Sequence, residues 1–322
     1  MSACAEEKAI HARDLNLSPL ILGGNVFGWT VDEAISRRLL DAAFDAGLSS
    51  IDTADMYSVW VPGHEGGESE AIIGRWLASQ PGRRTEVTLC TKVGAELSVQ
   101  RRGLSRRRIL QGVEDSLRRL NTDYIDLYFS HYPDDCTPHE ETLRTYEDLI
   151  ASGKVRAIGA SNFSRQQLEA AKATSRNTGL PAYSALQVQY NLYDRAGHET
   201  ETTAIAAEHG NVVVTYFSLA SGFLTGKYRG TSDLTGSARG EDLKGYFDAR
   251  GLKILAALDQ VAEETQSSPA EIAVAWLRQQ PGITAPIASA TSERQLTSLV
   301  RATLLSLSAT QLATLDLASR AG

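Results

Sequence analysis

Short runs of aliphatic and β-branched residues alternate along this chain with longer stretches whose apolar residues recur at helical spacing. The runs "PLILGG" (19–24), "SSID" (49–52), "VTLCTKV" (87–93) and "YIDLYFSH" (124–131) predict strands. So do "RAIGAS" (156–161), "ALQVQY" (185–190), "VVVTYF" (212–217) and "ITAPIA" (283–288), which makes eight. Between them, "DEAISRRLLDAAFDAG" predicts a helix capped by Asp32 and stopped at Gly47. "LSRRRILQGVEDSLRRL" starts its helix at Ser105 and "SRQQLEAAKATSRN" at Ser164.

Most of the strand runs are apolar throughout, the mark of parallel strands covered on the outside by helices. The fold class is therefore α/β, and at 322 residues closure into a (β/α)8 TIM barrel is expected. The rival, an open doubly wound sheet, would carry a GxGxxG turn after an early strand, and "LGGNVFG" does not supply one. The opening "EEKAIHARDLNLSPLI" predicts a small N-terminal β-hairpin capping the barrel floor, and extra helices are expected at the C-terminus. Residues 220–247 form a long stretch rich in Gly, Ser and Thr, the kind of loop that is either functional or disordered. No linker or repeat divides the chain, so residues 1–322 read as a single domain.

Composition narrows the partners. A formal net charge of −7 argues against a nucleic-acid or anionic-membrane partner, which would need a basic face. "QRRGLSRRRIL" (100–110) is the local exception, read as a solvated loop and helix start rather than a docking patch. Three cysteines without CxxC spacing indicate neither a disulfide framework nor a zinc site, and no HExxH pairs the six histidines, so no metal is expected. The opening residues lack the basic and apolar regions of a signal peptide, and no apolar run is long enough to span a membrane. A cytoplasmic location fits.

In a barrel of this kind chemistry sits at the carboxyl ends of the strands. Those ends carry Asp52, Lys92, His131, Ser161, Asn162, Gln187, Tyr216 and Ser218, with Tyr57 in the loop behind Asp52. A lysine in a barrel mouth needs a partner, because an unpaired buried ammonium is costly, and Asp52 is one strand away.

Here "DTADMY" (52–57) resembles the DTAxxY pattern of the aldo-keto reductases. "TKVG", "LSRRRILQGVEDSLRRLNTDYIDLYFSH", "KVRAIGASNFS", "LQVQYNLYDR", "VTYFSLASGFLTGKY" and "SPAEIAVAWLRQQPGITAPIASATSERQL" resemble further segments of that family, in order over about residues 15–300. The resemblance implies a catalytic tetrad of Asp52, Tyr57, Lys92 and His131. The residue types suit carbonyl reduction. Negative charge grows on the substrate oxygen and needs a proton donor; a phenol with a pKa of about 10 is a poor donor unless tuned. An adjacent Lys92 ammonium, held by Asp52, is expected to lower that pKa, and His131 to orient the substrate oxygen.

The resemblance further implies a nicotinamide cofactor, because side chains supply no hydride. Ser161, Asn162 and Gln187 would bind its carboxamide, and Tyr216 would stack under its ring. Gly24 and Asn25 join the implied contacts. Ser218, Leu219, Gly222, Leu224 and Lys227 would hold the pyrophosphate, with Arg239 on the 220–247 lid. At the adenine end the chain departs from the family's pattern, with Ser289 and Leu299 where other residues are usual; Phe217 and Ala220 are departures in the strand-seven loop. Thr291 and Ser292 open a helix, and Ser289, Thr291, Arg294 and Gln295 are the candidate contacts there. NADPH is favoured over NADH.

Phe27, Trp29, Trp60 and Tyr132 follow strand ends and are candidates to wall an apolar pocket for a small carbonyl or alcohol substrate; simple loop packing is the alternative. Ser69 and Glu70 in "GESEAIIG" read as a structural helix start. Three rival readings remain: the reverse reaction as an alcohol or sugar dehydrogenase, a non-catalytic potassium-channel β subunit, and a lyase using Lys92 as a Schiff base. The lack of a long N-terminal extension weighs against the second. Neither the physiological substrate nor the oligomeric state is legible.

Overall fold

A computed structural model describes residues 10–236 and 239–320. Eight parallel strands close into a barrel in sequence order, β1 pairing with β8. They are β1 (Ile21–Gly23), β2 (Ser50–Asp52), β3 (Thr88–Val93) and β4 (Ile125–Ser130), then β5 (Val155–Ser161), β6 (Ala185–Gln189), β7 (Val212–Tyr216) and β8 (Ala285–Ala288). Helices follow the strands around the outside, and three of them, Ala249–Thr265, Glu293–Leu304 and Ala309–Ser319, are extra or C-terminal. Among the described residues no helix is long and apolar enough to cross a membrane.

The helix boundaries follow local chemistry. Asp32, Ser105 and Ser164 each accept a backbone N–H from the first turn of Glu33–Asp45, Arg106–Leu120 and Arg165–Thr178. Gly47 follows the first of these with φ 80°, a conformation glycine adopts without penalty.

Strand parity sorts the side chains. Leu22, Ile51, Leu89, Ile158, Leu186 and Val213 point outward into the layer shared with the helices. Ile21, Cys90, Leu127, Phe129, Ala157, Ala185, Val212, Val214, Ala285 and Ile287 point inward and fill the barrel as one apolar plug. Phe129 has room for its ring because β5 offers Gly159 beside it.

The expected N-terminal hairpin does not form in residues 10–20, and residues 1–9 lie outside the described residues. A single 3-10 turn, Ala12–Asp14, stands there instead, capped by the His11 imidazole. Ile10 N–H donates to the Arg156 carbonyl at 3.2 Å and Ala12 N–H to the Ser184 hydroxyl at 3.1 Å. Ala12 and Leu15 pack into the apolar plug, so the floor is closed by a turn that buries two side chains rather than by paired strands.

Candidate active site

The inward parity of the strands continues above the apolar plug. Two residues past Cys90 stands Lys92; Ser50 is followed by Asp52, Phe129 by His131, Gly159 by Ser161, Ala185 by Gln187 and Val214 by Tyr216. A polar layer at the carboxyl ends therefore replaces the apolar one by the period of two alone.

Lys92 is fully buried and its ammonium has three acceptors: Asp52 Oδ2 at 2.7 Å, the Thr53 carbonyl at 2.7 Å and the Tyr57 hydroxyl at 3.1 Å. The other Asp52 oxygen accepts from Gln187 Nε2 at 2.8 Å. A buried ammonium with three acceptors escapes the penalty that an unpaired one would carry. Its pKa is accordingly raised: burial alone would lower it, but Asp52 and Tyr57 outweigh that.

The Tyr57 phenol is pushed above its ordinary value, chiefly by burial and against the pull of Lys92. The expected lowering is thus present as a contribution but outweighed, so the group is a protonated phenol through the neutral range. His131 is held well below the ordinary imidazole value by burial and by Lys92, which keeps it neutral. Its Nδ1 is buried without a hydrogen-bond partner among the described residues, and its ring lies 6.2 Å from that of Tyr57.

An aromatic wall continues from this pair. The Trp60 ring sits 5.8 Å from Tyr57 and 5.4 Å from Trp29, and Tyr132 stacks on His131 at 4.9 Å. Trp60 and Tyr132 are exposed, so both present ring surface at the mouth. Phe27 does not: it is fully buried with Leu22, Val26, Val31 and Ile72, and it packs the β1 side of the barrel instead of walling a pocket.

The opposite side of the mouth carries the groups expected to meet a dinucleotide. Ser161 and Gln187 are cross-strand neighbours, as are Gln189 and Tyr216. Asn162 adopts φ 62°, donates to the His131 carbonyl at 2.9 Å and accepts from the Tyr216 hydroxyl at 2.6 Å. Beyond β7 the backbone turns left-handed at Phe217, Ala220, Ser221 and Gly222. Such a run of strained residues persists only where its surroundings hold it, here through Asn191 donating to the Phe217 carbonyl. The chain's departures at Phe217 and Ala220 fall on that run.

Several expected contacts have side chains already committed to the fold. Ser218 Oγ is buried and donates to the Ile287 carbonyl at 2.8 Å, and Leu224 is fully buried, so each has only backbone to offer. Leu219 packs between the two outer apolar layers. Gly24 donates its N–H to the Asp52 carbonyl, and Asn25 accepts from Ser289 Oγ across the β8–β1 seam at 2.5 Å. Lys227, Thr291, Arg294 and Gln295 are exposed; Gln295 Oε1 accepts from the Thr291 N–H. Arg239 lies over the Trp29 ring at 5.1 Å, on the aromatic wall.

The aldo/keto reductase family model matches residues 19–320 of this chain. The chain belongs to the aldo/keto reductase family. It is 34% identical over 305 residues to the aldo-keto reductase YhdN of Bacillus subtilis, covering 91% of this chain and 86% of that one. The uncharacterized oxidoreductase YrpG of the same bacterium is 35% identical over 299 residues, covering 91% and 89%. A probable voltage-gated potassium channel subunit beta of Oryza sativa is 32% identical over 296 residues, covering 89% and 88%. As an aldo/keto reductase this chain is an oxidoreductase, in a family that typically uses NAD(P)H and acts on small molecules.

The donor set fits such a cofactor. Hydroxyl and amide groups at the tops of β5 and β6 suit a carboxamide, and the left-handed run with Lys227 suits a diphosphate. Sequence reasoning missed what lies behind Asp52, Tyr57, Lys92 and His131. Arg108 belongs to the arginine run read as solvated, yet it is buried and pairs with buried Asp55 in "DTADMY". The available signal was its place on the buried face of Arg106–Leu120, with Ile109, Gly112, Val113 and Ser116. Ser69 and Glu70 are structural as expected, though the helix Glu68–Ala78 has Gly67 at its cap and Ser69 Oγ instead donates to the Gly24 carbonyl.

Proposed function

We propose that this protein is an NADPH-dependent reductase of aldehydes or ketones, with residues 1–322 acting as one catalytic unit. The observation that carries the reading is the buried bond of Lys92 to both Asp52 and the Tyr57 hydroxyl. When bound, the nicotinamide supplies hydride to the carbonyl carbon. Tyr57 gives its proton to the carbonyl oxygen, so that the product is the alcohol. A phenol raised by burial is a reluctant donor in isolation, but the proton leaves a phenolate 3.1 Å from a permanent ammonium. Lys92 therefore acts chiefly as the proton departs, where charge develops, rather than by ionising Tyr57 beforehand. Asp52 keeps Lys92 charged and aimed, and Gln187 fixes Asp52. Neutral His131 orients the substrate oxygen. Trp29, Trp60 and Tyr132 wall the substrate's apolar side, and the backbone of 217–224 with Lys227 receives the diphosphate. Arg294, with Thr291, Gln295 and Ser289, takes the adenosine end and its 2′-phosphate.

The similarity to a channel β subunit supports a second reading, a nucleotide-binding protein without physiological turnover. Fluorescence titration with NADPH and NADH, then an absorbance screen over aldehydes, ketones and aldoses, tests both. The reductase reading expects tighter NADPH binding and NADPH consumption with at least one carbonyl class. Binding without any turnover favours the second reading, and no nucleotide binding overturns both.

A further inference from the structure

The loop that delivers Tyr57 is wired to an outer helix. Asp55 stands three residues after Asp52 and two before Tyr57. Its backbone N–H donates to the Lys92 carbonyl at 3.2 Å, and the Tyr57 N–H donates back to the Ala54 carbonyl at 3.2 Å. The Asp55 carboxylate, 1% exposed, pairs through Oδ2 with the buried guanidinium of Arg108. Arg108 sits in the first turn of Arg106–Leu120, whose Gly112 makes room for it: a Cβ there would lie 2.7 Å from Arg108 Nη1 and 3.3 Å from the Tyr128 hydroxyl.

A second pair lies alongside. Buried Glu70 of the helix Glu68–Ala78 accepts from Arg119 Nε at 2.7 Å and from Thr91 Oγ1 at 2.6 Å, next to Lys92 on β3. Two carboxylates and two guanidiniums thus join the tyrosine loop, both flanking helices and the lysine strand. Buried ion pairs are often replaceable by apolar residues without loss of stability, so stability alone does not explain a pair behind a catalytic loop.

We propose that Asp55 and Arg108 are positioning residues, whose ion pair fixes the Thr53–Tyr57 loop on the helix Arg106–Leu120 and so sets the Tyr57 hydroxyl against Lys92. The inference rests on Tyr57 being the proton donor. A reacting group displaced by about 1 Å can cost about a hundredfold in rate, so a loop anchor two residues away bears directly on turnover.

The pair also titrates where activity is measured. Burial lifts the Asp55 carboxyl to about 6, opposed by Arg108 and Arg119 and reinforced by Glu70. The Tyr128 and Tyr146 phenols, from β4 and the helix His139–Ala151, face the same group and are themselves held well above their ordinary values. Above that pH Asp55 is charged and the pair is ionic; below it the carboxyl is neutral and the electrostatic tie is lost. His131, held well below the ordinary value, does not account for a limb there.

The test uses the holoenzyme with NADPH and 4-nitrobenzaldehyde, measuring kcat and KM across pH, NADPH affinity by fluorescence, and thermal midpoint. Asp55→Asn should lower kcat by about tenfold to a hundredfold at neutral pH, with KM and NADPH affinity within about twofold. The wild-type kcat should carry an acid limb near pH 6 that Asp55→Asn lacks. Arg108→Lys, which keeps the charge but not the fork, should retain part of kcat. An Asp55→Asn protein with a lower thermal midpoint but wild-type kcat and an intact limb makes the pair merely structural and overturns the proposal. So does an Arg108→Gln protein, which removes the cation and leaves Asp55 in place, with wild-type kcat. Tyr57→Phe run alongside separates the failures: if it stays active the donor assignment is wrong, whereas if it is dead and Asp55→Asn keeps the wild-type kcat, only the positioning role falls.

Discussion

The two sides of the barrel mouth are built differently. On the β2–β4 side, Asp52, Lys92 and His131 are almost without exposure, and the Lys92 ammonium and both Asp52 oxygens are held by the protein's own groups. On the β7–β8 side, Lys227, Arg294 and Gln295 are exposed, and the fixed element is backbone: the left-handed turns at 217–222. The first arrangement suits chemistry, because reacting groups gain most from fixed, desolvated neighbours. The second suits a polyanionic ligand that must enter and leave, with exposed side chains to meet it. Perturbations on the two sides should therefore separate rate from affinity.

The largest effect short of removing the donor should follow Lys92→Met. It leaves Asp52 buried without its cation, and breaking such a pair costs about 3–5 kcal/mol of stability, read by denaturant unfolding. Turnover should fall by about 10³-fold or more. With the opposing ammonium gone, the Tyr57 phenol should titrate still higher, so any residual activity should show its alkaline limb shifted upward in the pH–rate profile. A smaller loss, about tenfold in kcat, should follow Gln187→Leu, which leaves one Asp52 oxygen without its donor. On the other side, Lys227→Ala should weaken NADPH and NADH binding alike by about tenfold, with kcat at saturating cofactor nearly unchanged. Arg294→Ala should weaken NADPH more than NADH; equal losses would place the 2′-phosphate elsewhere. Least of all, Ser105→Ala removes a helix cap and should cost about 1 kcal/mol in unfolding with neither rate nor affinity much changed.

The same contrast governs what was legible in the sequence. Eight apolar runs became eight strands, and the caps at Asp32, Ser105 and Ser164 fell where local chemistry put them, because periodicity and capping are local. The polar layer was legible too, since a strand's period of two carries Cys90 to Lys92 and Ala185 to Gln187 along one face. What escaped depends on partners distant in sequence. Arg108 looked solvated until Asp55, 53 residues away, was folded against it. Phe27 looked like a pocket wall but was claimed by Val31 and Ile72. Residues 6–21 read as a hairpin, but in the described part the apolar floor of the barrel took Ala12 and Leu15 one at a time, which a turn allows.

The central claim is that Tyr57 donates the proton and Lys92 stabilises what it leaves behind. The measurement that bears on it most directly is single-turnover carbonyl reduction by Tyr57→Phe with NADPH prebound, beside its NADPH affinity. The account predicts a rate lower by at least about 10³-fold with affinity within about twofold of wild type. A Tyr57→Phe enzyme that reduces its substrate at close to the wild-type rate would contradict it.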